Sequence, residues 1–104
     1  MEISFPDEDS QRLFEGQTRL RGKFGDELAA LICCRISILR AAPNLALVPH
    51  CRPVELRSDG RGAYSVALDT SFRLAFQASA GSGTRKTRRT DEITHIQLVG
   101  IIDA

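Results

Sequence analysis

The first part of the chain carries one strand pattern followed by two helix patterns. Residues 2–5 alternate polar and apolar side chains, which predicts a short strand. An acidic stretch after Pro6 suits the positive end of a helix dipole, and a first helix is predicted from about residue 7 to residue 20. A second helix is predicted from an N-cap at Asp26 to the residue before Pro43. Its apolar residues recur at steps of three and four and form one face: Leu28, Leu31, Ile32, Ile36 and Leu39.

From Val54 onward the period of the apolar residues changes to two, which is typical of strands. We predict strands at 54–57, 64–68, 72–77 and 93–102, and the last of these is apolar on both faces as a central strand is. Residues 79–92 form a polar loop. An order of strand, two helices and then three or four strands predicts an α+β fold, with both helices packed on one face of a mainly antiparallel sheet. Arg35 and Arg40 of the second helix are expected to extend into water.

Length and composition indicate one domain, 1–104, of ordinary globular character, with 42% hydrophobic and 26% charged residues. The three cysteines have neither CxxC spacing nor a histidine at ligand spacing, so no metal site and no cofactor are expected. Reduced thiols in or near the core are expected instead. No apolar run is long enough to span a membrane and the N-terminus lacks a signal-peptide pattern. We therefore expect a cytoplasmic protein with no membrane association.

The charges are distributed unevenly along the chain, although the net charge is only +1. Residues 1–16 carry four net negative charges, so the remainder carries five net positive ones. Arginine accounts for 12 of the 14 basic residues, and its planar guanidinium group binds phosphate and carboxylate through two parallel hydrogen bonds. This bias favours an anionic partner.

Four segments, taken together and in order, resemble HigB-type toxins of the RelE/ParE superfamily (the plasmid maintenance system killer proteins). They are the helical stretch 35–42, the turn and strand Leu56-Arg57-Ser58-Asp59-Gly60-Arg61-Gly62-Ala63-Tyr64-Ser65-Val66, the strand Phe72-Arg73-Leu74-Ala75-Phe76, and the ending Gly100-Ile101-Ile102-Asp103. The resemblance covers nearly the whole chain. It implies a RelE-like β-α-α-β-β-β fold, which agrees with the order predicted from the periods.

The resemblance also implies a function. Members of the family are toxins of type II toxin–antitoxin pairs that cleave messenger RNA on the ribosome without a metal, and a cognate antitoxin, here expected to be of helix-turn-helix type, neutralises them. A catalytic or RNA-binding basic residue of the family falls on Arg57, and a phosphate-binding arginine falls on Arg73. Metal-free RNA cleavage needs cations beside the developing negative charge, which arginine supplies.

Further basic residues are candidates for contact with the RNA backbone. Arg61 lies in the turn after Arg57, and a basic cluster closes the polar loop. The residues of that cluster are Arg85, Lys86, Arg88 and Arg89. A basic run in a loop can equally be a solvated segment, and an arginine on the polar face of a strand can be only solubilising.

The chain departs from the family at two positions where proton transfer or base stacking is expected. Val54 stands where the family usually has a histidine, and the ending Asp103-Ala104 stands where members end Asp-Tyr-His. His50 lies close enough along the chain to replace the missing histidine, or is structural. Three readings stay open: an mRNA endonuclease, active or weakened; a non-catalytic RelE-fold module that binds an antitoxin or RNA; and an α+β protein unrelated to RNA.

Overall fold

The computed structural model describes residues 1–60, 62–78 and 90–104 of the chain. In these ranges it is an α+β protein with three α-helices and one five-stranded mixed sheet, which confirms the predicted class. In chain order the elements are β1 (Glu2–Ser4), α1 (Glu8–Glu15), α2 (Gln17–Phe24), α3 (Asp26–Ala41), β2 (Arg57–Ser58), β3 (Ala63–Ala67), β4 (Phe72–Ala78) and β5 (His95–Asp103). Short 3₁₀ turns occur at Leu45–Leu47 and Thr90–Glu92.

The predicted first helix is two helices, so the prediction of two N-terminal helices was wrong. Asp7 begins α1, because its Oδ1 accepts a hydrogen bond from the backbone N–H of Ser10 at 2.7 Å. Gly16 then leaves the helical conformation (φ −108°, ψ 108°) and separates α1 from α2. A Cβ at this position would lie 3.0 Å from the carbonyl oxygen of Arg12, so the bend favours glycine. The apolar residues keep the helical spacing across this break, so the spacing alone does not reveal it.

The strands lie in the order β1-β5-β4-β3-β2. The pair β1 and β5 is parallel and the other three pairs are antiparallel, so the sheet is mixed but mainly antiparallel. The β4–β5 register shifts by one residue, since Ala75 lies opposite Gly100 whereas Phe76 lies opposite Leu98. Val99 is the extra residue of this bulge and is exposed.

One hydrophobic core joins the helices to the sheet. Leu20 of α2 and Ile32 of α3 are fully buried in the same cluster as Leu74 and Phe76 of β4. Because side chains alternate along a strand, the neighbours of Leu74 point to the opposite face of the sheet. That opposite face carries the candidate site, since Arg73 lies on it.

The predicted strand at 54–57 was wrong at its start, because the strand that pairs with β3 begins only at Arg57. Val54 makes a single backbone hydrogen bond to β3, accepting the N–H of Ala67 at 2.7 Å. The backbone of Glu55 has φ +50°, the left-handed region, which interrupts an extended strand. Val54 and Leu56 are both buried, as the period of two predicts. The alternation therefore predicted the burial of Val54 and Leu56 correctly, although the backbone at Glu55 between them is not extended.

Candidate functional site

Arg73 of β4 is the organising residue of the site. Its side chain is only 6% exposed and makes four hydrogen bonds from a group with five N–H donors. Nε donates to Ser65 Oγ at 2.8 Å and Nη2 donates to the Ser65 carbonyl at 3.1 Å. Nη2 also donates to the carbonyl oxygen of Glu55 at 2.6 Å, and Nη1 to its Oε2 at 3.0 Å. The guanidinium group is therefore almost saturated by the protein.

Glu55 lies between two arginines. Its Oε2 is 3.0 Å from Nη1 of Arg73 and 3.3 Å from Nη2 of Arg57, whose side chain is 63% exposed. The Glu55 side chain is itself 28% exposed, so its carboxylate can be reached from solvent. Arg57 and Arg73, predicted to act together, are thus within reach of one carboxylate oxygen, although Arg73 is buried and not on an open polar surface.

These residues line a half-open cleft of about 660 Å³. Ala104 also lines the cleft. The charged side chains of its wall give an excess of two positive charges, and they are Arg35, Arg52, Arg57, Arg73, Glu55 and Asp69. Ala67, Leu68 and Thr70 add shorter side chains to the lining. Asp69 Oδ1 accepts the backbone N–H groups of Ser71 and Phe72 at 2.8 Å each, so this carboxylate also shapes the turn before β4. The cleft has the volume of an ordinary small-molecule site, and its side chains carry a net positive charge.

Two of the four arginines were missed by the sequence analysis. Arg35 was expected to reach water from α3, but it is 5% exposed and its Nε donates to the carbonyl oxygen of Ala67 at 2.7 Å. Arg52 precedes Pro53 in the connection to β2 and is exposed. The only signal in the sequence for Arg35 is an arginine inside a strongly apolar helix, a position that requires either solvent access or buried acceptors.

The remaining predicted residues lie apart from the cleft or beyond the described ranges. Arg61 and the cluster Arg85, Lys86, Arg88 and Arg89 fall outside the described residues, so their predicted role stays a prediction. His50 is exposed and does not line the cleft. Nδ1 of His95 on β5 lies 3.4 Å from Oε2 of Glu2 on β1, near the edge of the sheet opposite β2. Asp59 Oδ1 accepts the backbone N–H of Ala63, as expected of a turn residue.

The three cysteines are free thiols, but the expectation that they lie in or near the core was wrong for two of them. Cys34 and Cys51 are exposed, and Cys33 is half-buried. Helix α3 is apolar around most of its circumference, which made the face bearing Cys34 look buried from the sequence. Within residues 1–60, 62–78 and 90–104, no group of three or more His, Cys, Asp or Glu side chains could hold a metal ion. No helix in that part of the chain has the length and apolarity needed to cross a membrane.

Comparison with known proteins assigns no family to the chain: no family model, no curated protein and no solved structure matches it significantly.

Proposed function

We propose that this protein is a cytoplasmic toxin of a type II toxin–antitoxin pair, an mRNA endonuclease of the HigB/RelE type that acts on the ribosome. Two independent features support the proposal. The order of strand, helices and strands resembles the RelE-like arrangement that the sequence resemblance implies, with three helices in place of two and four C-terminal strands in place of three. The arginine cleft offers a cationic site to a phosphodiester backbone. A helix-turn-helix antitoxin would be its partner.

The observation that carries the proposal is the Glu55 carboxylate held between the guanidinium groups of Arg73 and Arg57. Glu55 would accept the proton of a ribose 2′-hydroxyl, and the 2′-oxygen would attack the adjacent phosphorus. The bond from phosphorus to the 5′-oxygen then breaks, leaving a 2′,3′-cyclic phosphate, and the 5′-oxygen takes a proton from water. The hydroxide that remains takes the proton held by Glu55, which restores the carboxylate. Arg57 would stabilise the charge that develops on the phosphoryl oxygens, while Arg73 positions Glu55.

The test is cleavage of a reporter message by the purified protein on translating ribosomes, with the 5′ ends of the fragments mapped by primer extension. We expect cleavage by the wild-type chain and a loss of at least 100-fold in Arg57→Gln and Glu55→Gln, the size that a charge-stabilising group or a general base contributes. Arg40→Gln is the matched control, because Arg40 is an exposed arginine of α3 that pairs with Glu15 and does not line the cleft. Intact message with wild-type protein would exclude the endonuclease.

A second candidate is a non-catalytic RelE-fold module that binds RNA or an antitoxin. The saturation of Arg73 favours it, because four of its N–H groups are already bound by Glu55 and Ser65. Such a module would bind RNA in a salt-dependent manner and leave the message uncut. Binding without cleavage on the ribosome would select it, and RNA binding that is absent at low salt would leave only a module that binds an antitoxin.

A further inference from the structure

Arg35 is a buried cation without a carboxylate partner. It lines the same cleft as Arg73, is 5% exposed, and is hydrogen-bonded to two backbone carbonyls, those of Ala67 at 2.7 Å and Pro53 at 3.4 Å. Its Nη1 has only the sulfur of Cys34 at 3.7 Å. Among the described residues no carboxylate lies within ion-pair distance of this guanidinium group, in contrast to Arg73 and Arg57, which share Glu55.

An uncompensated charge in a buried position is costly unless a counterion or hydrogen-bond acceptors satisfy it. The three acceptors of Arg35 leave part of its five N–H donors free, and the side chain lines an open cleft. A ligand anion that enters this cleft would therefore find a preformed and dehydrated donor. The structure contains the arrangement expected for an anion-binding residue, and the mechanism proposed above does not use it.

Arg52 adds a second, accessible cation to the same part of the cleft. It is exposed, lines the cleft, and precedes Pro53, the residue whose carbonyl oxygen accepts from Arg35. Within the part of the chain that the structure describes, Arg52 has no ion-pair or hydrogen-bond partner, so its guanidinium group can turn toward a ligand. A buried and an exposed arginine thus flank Pro53 in the cleft wall, and neither is bonded to the cluster of Glu55, Arg57 and Arg73 in the same wall.

We propose that the cleft binds two consecutive phosphates of one single-stranded RNA chain, the first at Arg57 beside Glu55 and the second at Arg35 and Arg52. This inference takes from the proposed function that the ligand is RNA, and it adds a second phosphate-binding site to the cleft. Because Arg57 and the pair of Arg35 and Arg52 would hold different phosphates, the ligand class is a strand with at least two linked phosphodiesters, and a dinucleotide with one phosphate fills only half of the site.

The test compares two uncleavable ligands, the 2′-deoxy dinucleoside monophosphate UpU and the 2′-deoxy trinucleoside diphosphate UpUpU, with full-length protein. We expect the second phosphate to tighten wild-type binding roughly tenfold, as one charge-assisted hydrogen bond does. That gain should disappear in Arg52→Gln and Arg35→Gln and persist in Arg40→Gln. For a longer 2′-deoxy strand, each cleft substitution should reduce the slope of log K against log salt concentration by about 0.7.

Two outcomes would overturn the inference. In the first, both substitutions bind both ligands as the wild type does, which makes Arg35 a purely structural tie between α3 and β3. In the second, inorganic pyrophosphate binds more tightly than UpUpU, which makes the ligand a free polyphosphate and not a strand. Arg35→Gln is used only if its circular dichroism spectrum matches that of the wild type, and otherwise the exposed Arg52→Gln decides alone. Absence of ribosomal cleavage would leave this binding result intact, so the two proposals fail separately.

Discussion

Arg73 holds Glu55 at two points, donating to its carboxylate at 3.0 Å and to its backbone carbonyl at 2.6 Å. The two residues are 18 positions apart in the chain, on β4 and in the segment before β2. The contact therefore fixes both the side chain of Glu55 and the left-handed backbone that directs it into the cleft. Arg73 therefore stabilises the structure of the site directly, and it affects the proposed chemistry only by positioning Glu55.

Replacing Arg73 with methionine should destabilise the fold by about 3 kcal/mol, because it leaves the Glu55 and Ser65 acceptors unpaired in a buried site. Arg57→Met is the matched control. Its side chain is 63% exposed and its ion pair with Glu55 should be worth less than about 1 kcal/mol. Urea unfolding monitored by circular dichroism measures both free energies of unfolding. Equal losses for the two variants would contradict a structural role specific to Arg73.

The left-handed backbone of Glu55 should be detectable as a difference between glycine and alanine at this position. Both substitutions remove the carboxylate, but only alanine keeps a Cβ that disfavours φ +50°. Glu55→Gly should therefore be more stable than Glu55→Ala by about 1 kcal/mol. The same unfolding measurement checks it. A more stable alanine variant would mean that this backbone relaxes to an extended conformation once the carboxylate is absent.

Glu55→Gln should change RNA binding and RNA cleavage in opposite directions. Removing one negative charge beside Arg57 and Arg73 should tighten binding of a single strand several-fold, because that charge repels the phosphate. The amide cannot accept a proton, so cleavage should fall by about 100-fold or more. Anisotropy with a 2′-deoxy strand measures affinity, and primer extension measures cleavage. A parallel fall in both would show that Glu55 supports the structure of the site and not its chemistry.

Asp7 should make the stability of the protein depend on pH in the acid range. The hydrogen bond from the backbone N–H of Ser10 lowers the pKa of Asp7 below its ordinary value of 3.8. A carboxyl whose pKa is lower in the folded state stabilises the fold above its unfolded pKa, and this stabilisation is lost as pH falls through the folded pKa.

The Asp7→Ala variant should therefore be less stable than the wild type at pH 7, and the gap should narrow at pH 3. Asp7→Asn, which keeps the N-cap without the titration, serves as the control and should stay close to the wild type at pH 7. Urea unfolding at the two pH values gives the comparison. A gap between wild type and Asp7→Ala that is equal at both pH values would contradict the assignment.

The sequence by itself determined the α+β class and most of the buried residues, because the periods of 3.6 and 2 follow directly from the geometry of helices and strands. The strands around Val66, Leu74 and Ile96 lie where the alternation predicted them. The helix break at Gly16 was not predicted, because the apolar residues keep their helical spacing on both sides of this single extended residue. The basic cluster of Arg85, Lys86, Arg88 and Arg89 is known only as a run of charges in the sequence, and its role stays a prediction.

Only the tertiary structure decided which arginines form the site. Arg57 and Arg73 could be named from a resemblance, but the burial of Arg73 depends on Glu55, which approaches it from a different part of the chain. Arg35 looked like a solvent-facing helix residue, and its place in the cleft follows from carbonyl groups of β3 and of the connection before β2. Burial and counter-charge are properties of contacts between distant segments, so no local pattern could reveal them.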